Sequence, residues 1–156
     1  MGMENARAHL RSFDLEDRIL EFEVSSATVE LAAQAVGVPP AHIAKTLSFK
    51  VADSPILVVV AGDARVDNVK YKNQFKVKAK MLTPEEVHNH VGHGVGGVCP
   101  FGVHSEVTVY LDESLKRFKV VYPACGTASS AVRLEIAELE RCSNYSQWID
   151  VCKDWV

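Results

Sequence analysis

A chain of 156 residues, 47% of them hydrophobic, can bury a sizeable core, and one domain spanning residues 1–156 is the expectation. A formal net charge of −3 excludes a protein that grips nucleic acid through its overall charge and leaves only local basic patches for that purpose. No run of about 18 apolar residues is present to span a membrane, and "MGMENARAHLRSFDLEDRIL" lacks the apolar core of a signal peptide, so a cytoplasmic protein is expected.

Ala6, Leu10 and Phe13 recur at helical spacing near the N-terminus, and "RILEFEV" then alternates apolar and charged residues as a strand does. A helix is expected from Ser25 or Ser26 to a stop at Gly37, with Pro39 and Pro40 opening a second short helix, "PPAHIAK". Two strands follow, "TLSFKVA" and "PILVVVAG", parted by Asp53, Ser54 and Pro55. The second is apolar throughout and belongs in the middle of a sheet. "DNVKYKNQF" reads as a helix and "KVKAKML" as a strand. "TPEEVHNHV" is a helix whose start is marked by Thr83, Pro84 and the acids Glu85 and Glu86. Farther on, "EVTVYLD", "FKVVYPA" and "AVRLEI" supply strands, and "AELERC" and "YSQWIDVC" supply late helices. The sum is a mixed α/β or α+β domain with a curved, partly closed sheet.

Between the Thr83 helix and the next strand lies "VGHGVGGVCPFGVH", with Gly92, Gly94, Gly96, Gly97 and Gly102 set among Val91, Val95, Val98 and Phe101. So bare a backbone, anchored by apolar side chains, is open to two readings: a structural loop at a sheet edge, or a cradle of N–H groups facing a ligand. His88, His90, His93 and His104 surround it, yet only His90 and His93 have the spacing of a helical metal pair, and no metal site is assigned. Cys99, Cys125, Cys142 and Cys152 are far apart, with no C-x-x-C pair, and read as free thiols.

Three further features carry chemistry. Lys45, flanked by Ala44, Thr46 and Leu47, is either a lysine closing a helix or one emerging at the rim of a pocket. Gly126, Thr127, Ser129 and Ser130 make a small polar turn, but no G-x-S-x-G supports a hydrolase elbow and no Gly-Lys-Ser/Thr supports a Walker-type loop. Lys70, Lys72, Lys76, Lys78 and Lys80 interleave with Tyr71 and Phe75, and on a strand Lys76, Lys78 and Lys80 would share one face. That face suits phosphate contact and base stacking, or is a solvated edge guarded against aggregation.

The stretches "HIAKTLSFK", "VVVAGDARVD", "VGHGVGGVCPFG" and "YPACGTASSAVRL", in this order over nearly the whole chain, resemble the YbaK/ProX superfamily of aminoacyl-tRNA editing domains, related to the insertion domain of bacterial prolyl-tRNA synthetases. The resemblance implies a barrel-like mixed sheet surrounded by helices. It also implies hydrolysis of amino acids wrongly attached to tRNA, commonly tRNA(Pro), with Cys, Ala, Ser, Thr or 2-aminobutyrate as cargo. By the same resemblance the essential lysine falls on Lys45 and the glycine-rich catalytic and substrate loop on Gly96 and Gly97, followed by Pro100, Phe101 and Gly102. The polar turn that shapes the pocket falls on Gly126, Thr127 and Ser129, and Thr46 joins the substrate-binding set. The short free-standing editing proteins are the nearest relatives expected, because the chain has no room for a synthetase core. Mischarged tRNA and prolyl-tRNA synthetase are the partners implied, with no membrane, no DNA and no cofactor. A non-catalytic module that keeps the fold and binds aminoacyl-tRNA or a synthetase is the alternative.

An aminoacyl ester is more labile than an amide, so positioning a water and stabilising an oxyanion, here by the N–H groups around Gly96 and Gly97, can suffice without a triad. As a general base, Lys45 would need its pKa brought from about 10.4 to roughly 7–8. As an ammonium it would bind phosphate or polarise the ester with no shift. The charged role is favoured, since the adjacent sequence supplies no second cation to depress it.

Overall fold

In the computed structural model, which describes residues 2–94 and 96–155, Ala6 and Leu10 lie on one face of α1 (Gly2–Arg11) and anchor it to the core. The predicted strand that follows is reduced to β1 (Ile19–Glu21). Helix α2 (Val29–Val36) starts later than the serines suggest, with the Thr28 hydroxyl accepting from the Leu31 N–H at 3.1 Å. The reason is tertiary: the Ser26 N–H donates to the Ala128 carbonyl at 2.7 Å and the Ser25 hydroxyl to the same oxygen at 3.5 Å, so both serines are held outside the helix. After Gly37 the expected helix "PPAHIAK" shrinks to a single 3₁₀ turn, Pro40–His42. Ile43 and Ala44 are drawn into the sheet beside Tyr122 and Pro123. Lys45 is therefore an interior residue of a strand and does not close a helix.

Strands β2 (Ile43–Val51) and β3 (Ser54–Ala61) form an antiparallel hairpin. Its turn is Ala52 and Asp53, both at positive φ (50° and 64°), as the twist of a two-residue hairpin demands, so Ser54 and Pro55 belong to the strand. The short β4 (Arg65–Val66) leads to α3 (Asn68–Phe75), capped by the Asp67 carboxylate, which accepts from Val69 N at 2.9 Å and Lys70 N at 3.1 Å. The strand expected over residues 76–82 is absent. Lys76 closes α3 in the left-handed conformation (φ 65°) and turns the chain, which then meets β2 only through a bridge between Phe49 and Met81. Lys76, Lys78 and Lys80 consequently share no strand face. Helix α4 (Pro84–Glu86) begins with a capping box between Thr83 and Glu86 and runs into one π-helical turn, Val87–Val91.

Strand β5 (Thr108–Asp112) lies parallel to β3, and β6 (Val120–Pro123) lies parallel to the start of β2. The predicted strand "AVRLEI" is split at Arg133 into β7 (Ser130–Val132), which pairs with β1, and β8 (Leu134–Glu135), which pairs with β6. Helix α5 (Ile136–Cys142) follows as expected. The late helix expected in "YSQWIDVC" does not form: β9 (Gln147–Ile149) lies parallel to β5, and β10 (Cys152–Lys153) runs antiparallel to β4. Asp112, fully buried at the end of β5, directs this outcome by accepting from the Val151 N–H at 2.9 Å, between the two strands.

The principal sheet has the order β8-β6-β2-β3-β5-β9 and is strongly curled into a half-barrel, the mixed, partly closed architecture expected. Strand β3 is buried from Pro55 to Ala61 and occupies the interior of the sheet, as its unbroken apolar run requires. Cys99, Cys125, Cys142 and Cys152 are all free and buried. Among the described residues no helix is long and apolar enough to cross a membrane.

Candidate active site

At the start of β2 the curled sheet leaves a cleft of about 590 Å³, its open mouth included. Ile43, Ala44, Lys45 and Thr46 line it from β2, Thr28, Val29 and Ala32 from the first turns of α2, and Gly96 and Val98 from the glycine-rich loop. Tyr122, Ala124, Ser130 and Ala131 close it from β6 and β7 and the residues between. Ionisable groups among these residues are confined to Lys45 and Tyr122, so no carboxylate or imidazole is available within the lining to act as a base. The Thr46 hydroxyl is buried and finds no hydrogen-bond partner among the described residues.

Burial depresses the pKa of Lys45 below its ordinary 10.5, and Arg65 pushes the same way, while Cys152, Asp63 and Glu30 oppose it. Arg65 thus supplies, from a distant part of the chain, the second cation that the neighbouring sequence lacks. Sequence reasoning passed it by, although its place in a polar turn directly after the apolar β3 was a usable signal.

At Gly97 and Gly102 the glycine-rich loop is bare because other backbone segments press against it, and Gly92, Gly96 and Gly102 adopt positive φ. The Gly97 carbonyl accepts from the Gly126 N–H at 3.0 Å, and a β-carbon on Gly97 would come within 2.5 Å of Gly126 C and Thr127 N. The Gly97 N–H donates to the Gly94 carbonyl at 3.1 Å and is already committed. Gly96, at φ 88°, is the loop glycine that lines the cleft. Pro100 and Phe101 are buried, and the Gly102 N–H donates to His9 Nδ1 at 3.0 Å, so these residues brace α1 and do not line the cleft. Val95 lies outside the described residues.

The polar turn is likewise spent on itself. The Ser130 hydroxyl donates to the Thr127 carbonyl at 3.2 Å and accepts from the Thr127 hydroxyl at 2.9 Å and the Cys125 N–H at 3.2 Å. Gly126, Thr127 and Ser129 stand behind the cleft wall, and it is Ser130 and Ala131 that reach the lining. Of the residues singled out from the sequence for catalysis or substrate binding, Lys45, Thr46 and Gly96 are brought together at the cleft.

The lysine strip is dispersed. Lys70 is paired with Asp150 at 3.0 Å and also donates to the Cys152 carbonyl at 2.9 Å, while Lys72 and Lys78 line a separate depression beside α3. Lys76 caps α3, and Lys80 holds β2 through its carbonyl. The histidines are dispersed as well. His93 is buried, with Nε2 2.7 Å from the Phe101 carbonyl, whereas His88 and His90 are exposed. Among the described residues no three His, Cys, Asp or Glu side chains gather as a metal site requires.

Residues 23–142 match the family model of the aminoacyl-tRNA editing domain. The chain is 51% identical over 156 residues to the uncharacterized protein YwhH of Bacillus subtilis (strain 168), with 99% of each chain covered. It is 33% identical over 125 residues to the proline–tRNA ligase of Geobacillus sp. (strain WCH70), a match that covers 80% of this chain but 22% of the ligase. A structure solved as that of a candidate trans-editing enzyme for prolyl tRNA synthetase superposes with a TM-score of 0.87 at 29% identity, over 97% of both chains.

Proposed function

This chain belongs to the aminoacyl-tRNA editing domain family, and from that premise we propose that residues 1–156 act as one editing domain that deacylates mischarged tRNA in trans. The substrate in this reading is tRNA(Pro) carrying a small amino acid such as Cys, Ala or 2-aminobutyrate. The observation that carries it is the cleft itself, where Lys45 flanks walls in which Ala27, Ala32, Ala44, Gly96, Ala124 and Ala131 alternate with the larger Val29, Ile43, Val98 and Tyr122. The small side chains leave room for an aminoacyl group and the larger ones limit it to a compact one. The need for such a sieve follows from energetics: a pocket built for proline rejects a smaller residue by only about 1–3 kcal/mol per missing methylene.

The Lys45 ammonium polarises the ester carbonyl, and the loop backbone at Gly96 faces the charge that develops on its oxygen. A water adds to the carbonyl carbon, the bond to the ribose oxygen breaks, and the proton lost by the water ends on that oxygen. Free amino acid and uncharged tRNA leave. With no carboxylate or imidazole in the lining, positioning and electrostatics carry the rate.

Release of labelled amino acid from tRNA(Pro) charged in turn with Ala, Cys, Ser, 2-aminobutyrate and Pro tests the proposal. Hydrolysis of a small-residue species with Pro-tRNA spared is the expected result. A panel that stays intact, for tRNA(Pro) and for other tRNAs bearing Ser or Thr, would overturn it in favour of a binding module.

Thr46 offers a second expected outcome. A buried hydroxyl without a partner costs on the order of 1–3 kcal/mol, so Thr46→Val should leave the thermal midpoint unchanged or raised. A raised KM for the charged tRNA would show that the substrate uncovers this hydroxyl, which solvent does not reach in the free protein. A lower midpoint together with an unchanged KM would mark Thr46 as a packing residue.

A further inference from the structure

Lys45 lines a second cavity as well as the cleft. This neighbour, of about 710 Å³ with its open mouth included, is bounded by Leu47, Phe49, Arg65, Asn68, Ala79 and Met81. Asn68 and Ala79 also line a third, open depression of about 850 Å³, its mouth included, with Val69, Lys72, Asn73 and Lys78. A continuous groove therefore leads away from Lys45, between β2, α3 and the irregular segment that replaces the predicted strand.

Two properties of this groove bear on what it can hold. Its cations are uncompensated: neither cavity is lined by an acid, and Arg65, Lys72 and Lys78 form no ion pair among the described residues. Elsewhere Lys70 is held by Asp150, Lys116 by Glu113 and Arg117 by Asp63. Its floor is also apolar and open, with Val69 70% exposed and Met81 59% exposed in a chain where few large hydrophobic side chains face solvent. Free cations beside exposed aliphatic side chains suit a single strand, whose phosphates take the charge and whose unpaired base faces bury Val69 and Met81; a duplex hides those base faces.

We propose that this groove seats the unpaired 3′-terminal nucleotides of the tRNA, with Arg65, Lys72 and Lys78 on their phosphates and Met81 and Val69 beneath their bases. The inference rests on the reading of the Lys45 cleft as the ester site, because the groove begins at the lysine where the esterified ribose would sit. It replaces the lysine strip as a docking surface: Lys72 and Lys78 are kept, Lys70 is withdrawn by its ion pair, and Arg65 is added.

The test uses uncharged RNA, so it does not depend on hydrolysis. A fluorescein-labelled acceptor-stem minihelix with a 3′ ACCA overhang, and the same duplex without it, are titrated by anisotropy over a range of salt. The wild type should prefer the overhang. The double variant Arg65→Glu, Lys78→Glu should lose about tenfold or more in affinity for it, with a log–log salt slope smaller by about 1.4, at roughly 0.7 for each phosphate left without its cation. Lys119→Glu, a charge reversal remote from the groove, should bind as the wild type does. Met81→Ser should weaken overhang binding with the salt slope unchanged. Equal affinity for the two RNAs, or an unaltered slope in the double variant, would overturn the groove even if the protein deacylates tRNA. Overhang preference without hydrolysis of any charged tRNA would instead count against the editing chemistry and leave the groove standing.

Discussion

Replacing Lys45 with alanine is expected to slow release of the amino acid from mischarged tRNA by at least about 100-fold, the cost of losing a group aimed at transition-state charge. Among the described residues Lys45 contributes the only cationic side chain in the cleft lining, and no acid or imidazole there can take over. Stability should change by no more than about 1 kcal/mol, because the ammonium is held against a desolvation cost and forms no ion pair among the described residues. Single-turnover release from labelled aminoacyl-tRNA, with a thermal melt on the same preparation, separates the two effects. An active alanine variant would remove Lys45 from the chemistry.

The pH profile decides which form of the lysine works. Burial first, and Arg65 second, lower its pKa below 10.5. The ammonium therefore dominates at low pH and is lost as pH rises through that lowered value. With the ammonium as the working form, the rate constant corrected for uncatalysed hydrolysis stays level and then falls as alkaline pH is approached. Lys45→Arg, which keeps its charge at all accessible pH, should retain part of the activity and lose that alkaline fall. A rate that instead climbs with pH to a plateau, and an inert arginine variant, would assign the neutral amine as a general base.

The elements legible in the sequence are those whose signals are local and uncontested. The unbroken apolar run of β3 reads as an interior strand, and Thr83 followed by Pro84, Glu85 and Glu86 reads as a helix start, and both form as read. Where the deciding partner is remote, the pattern misleads. Ser25 and Ser26 look like helix caps, but Ala128 claims them. "YSQWIDVC" has the apolar content of a helix, and it becomes strand because β5 lies open beside it and Asp112 holds Val151. The cleft divides in the same way. Lys45, Thr46 and Gly96 stand in stretches that announce themselves, whereas Tyr122, Ala124 and Ala131 are ordinary sheet residues that only the curl of the sheet brings to the same place.

Gly97→Ala should destabilise the protein by about 1–3 kcal/mol and reduce deacylation together, because the glycine serves the architecture of the cleft wall. Its added β-carbon would lie 2.5 Å from Gly126 C and Thr127 N and 2.7 Å from Thr127 Cα, all backbone atoms with no rotamer to move into. Relief requires the loop and the 126–130 turn to part. That parting strains the 3.0 Å hydrogen bond from Gly126 N to Gly97 O and shifts Ser130 and Ala131, which line the cleft. Gly94 is the internal comparison: nothing lies within 4 Å of a β-carbon built there, so Gly94→Ala should stay within about 0.5 kcal/mol of the wild type in denaturant unfolding. The alternative origin of the bare backbone, close approach of the ester to the main chain, makes the opposite forecast for Gly97: full stability with a selective loss of rate. With the Gly97 N–H already donated to Gly94 at 3.1 Å, the packing account has the stronger claim; Gly96, the glycine of this pair that lines the cleft, is itself at φ 88° with Ala27 and Ala128 Cβ 3.1 Å from where its β-carbon would lie.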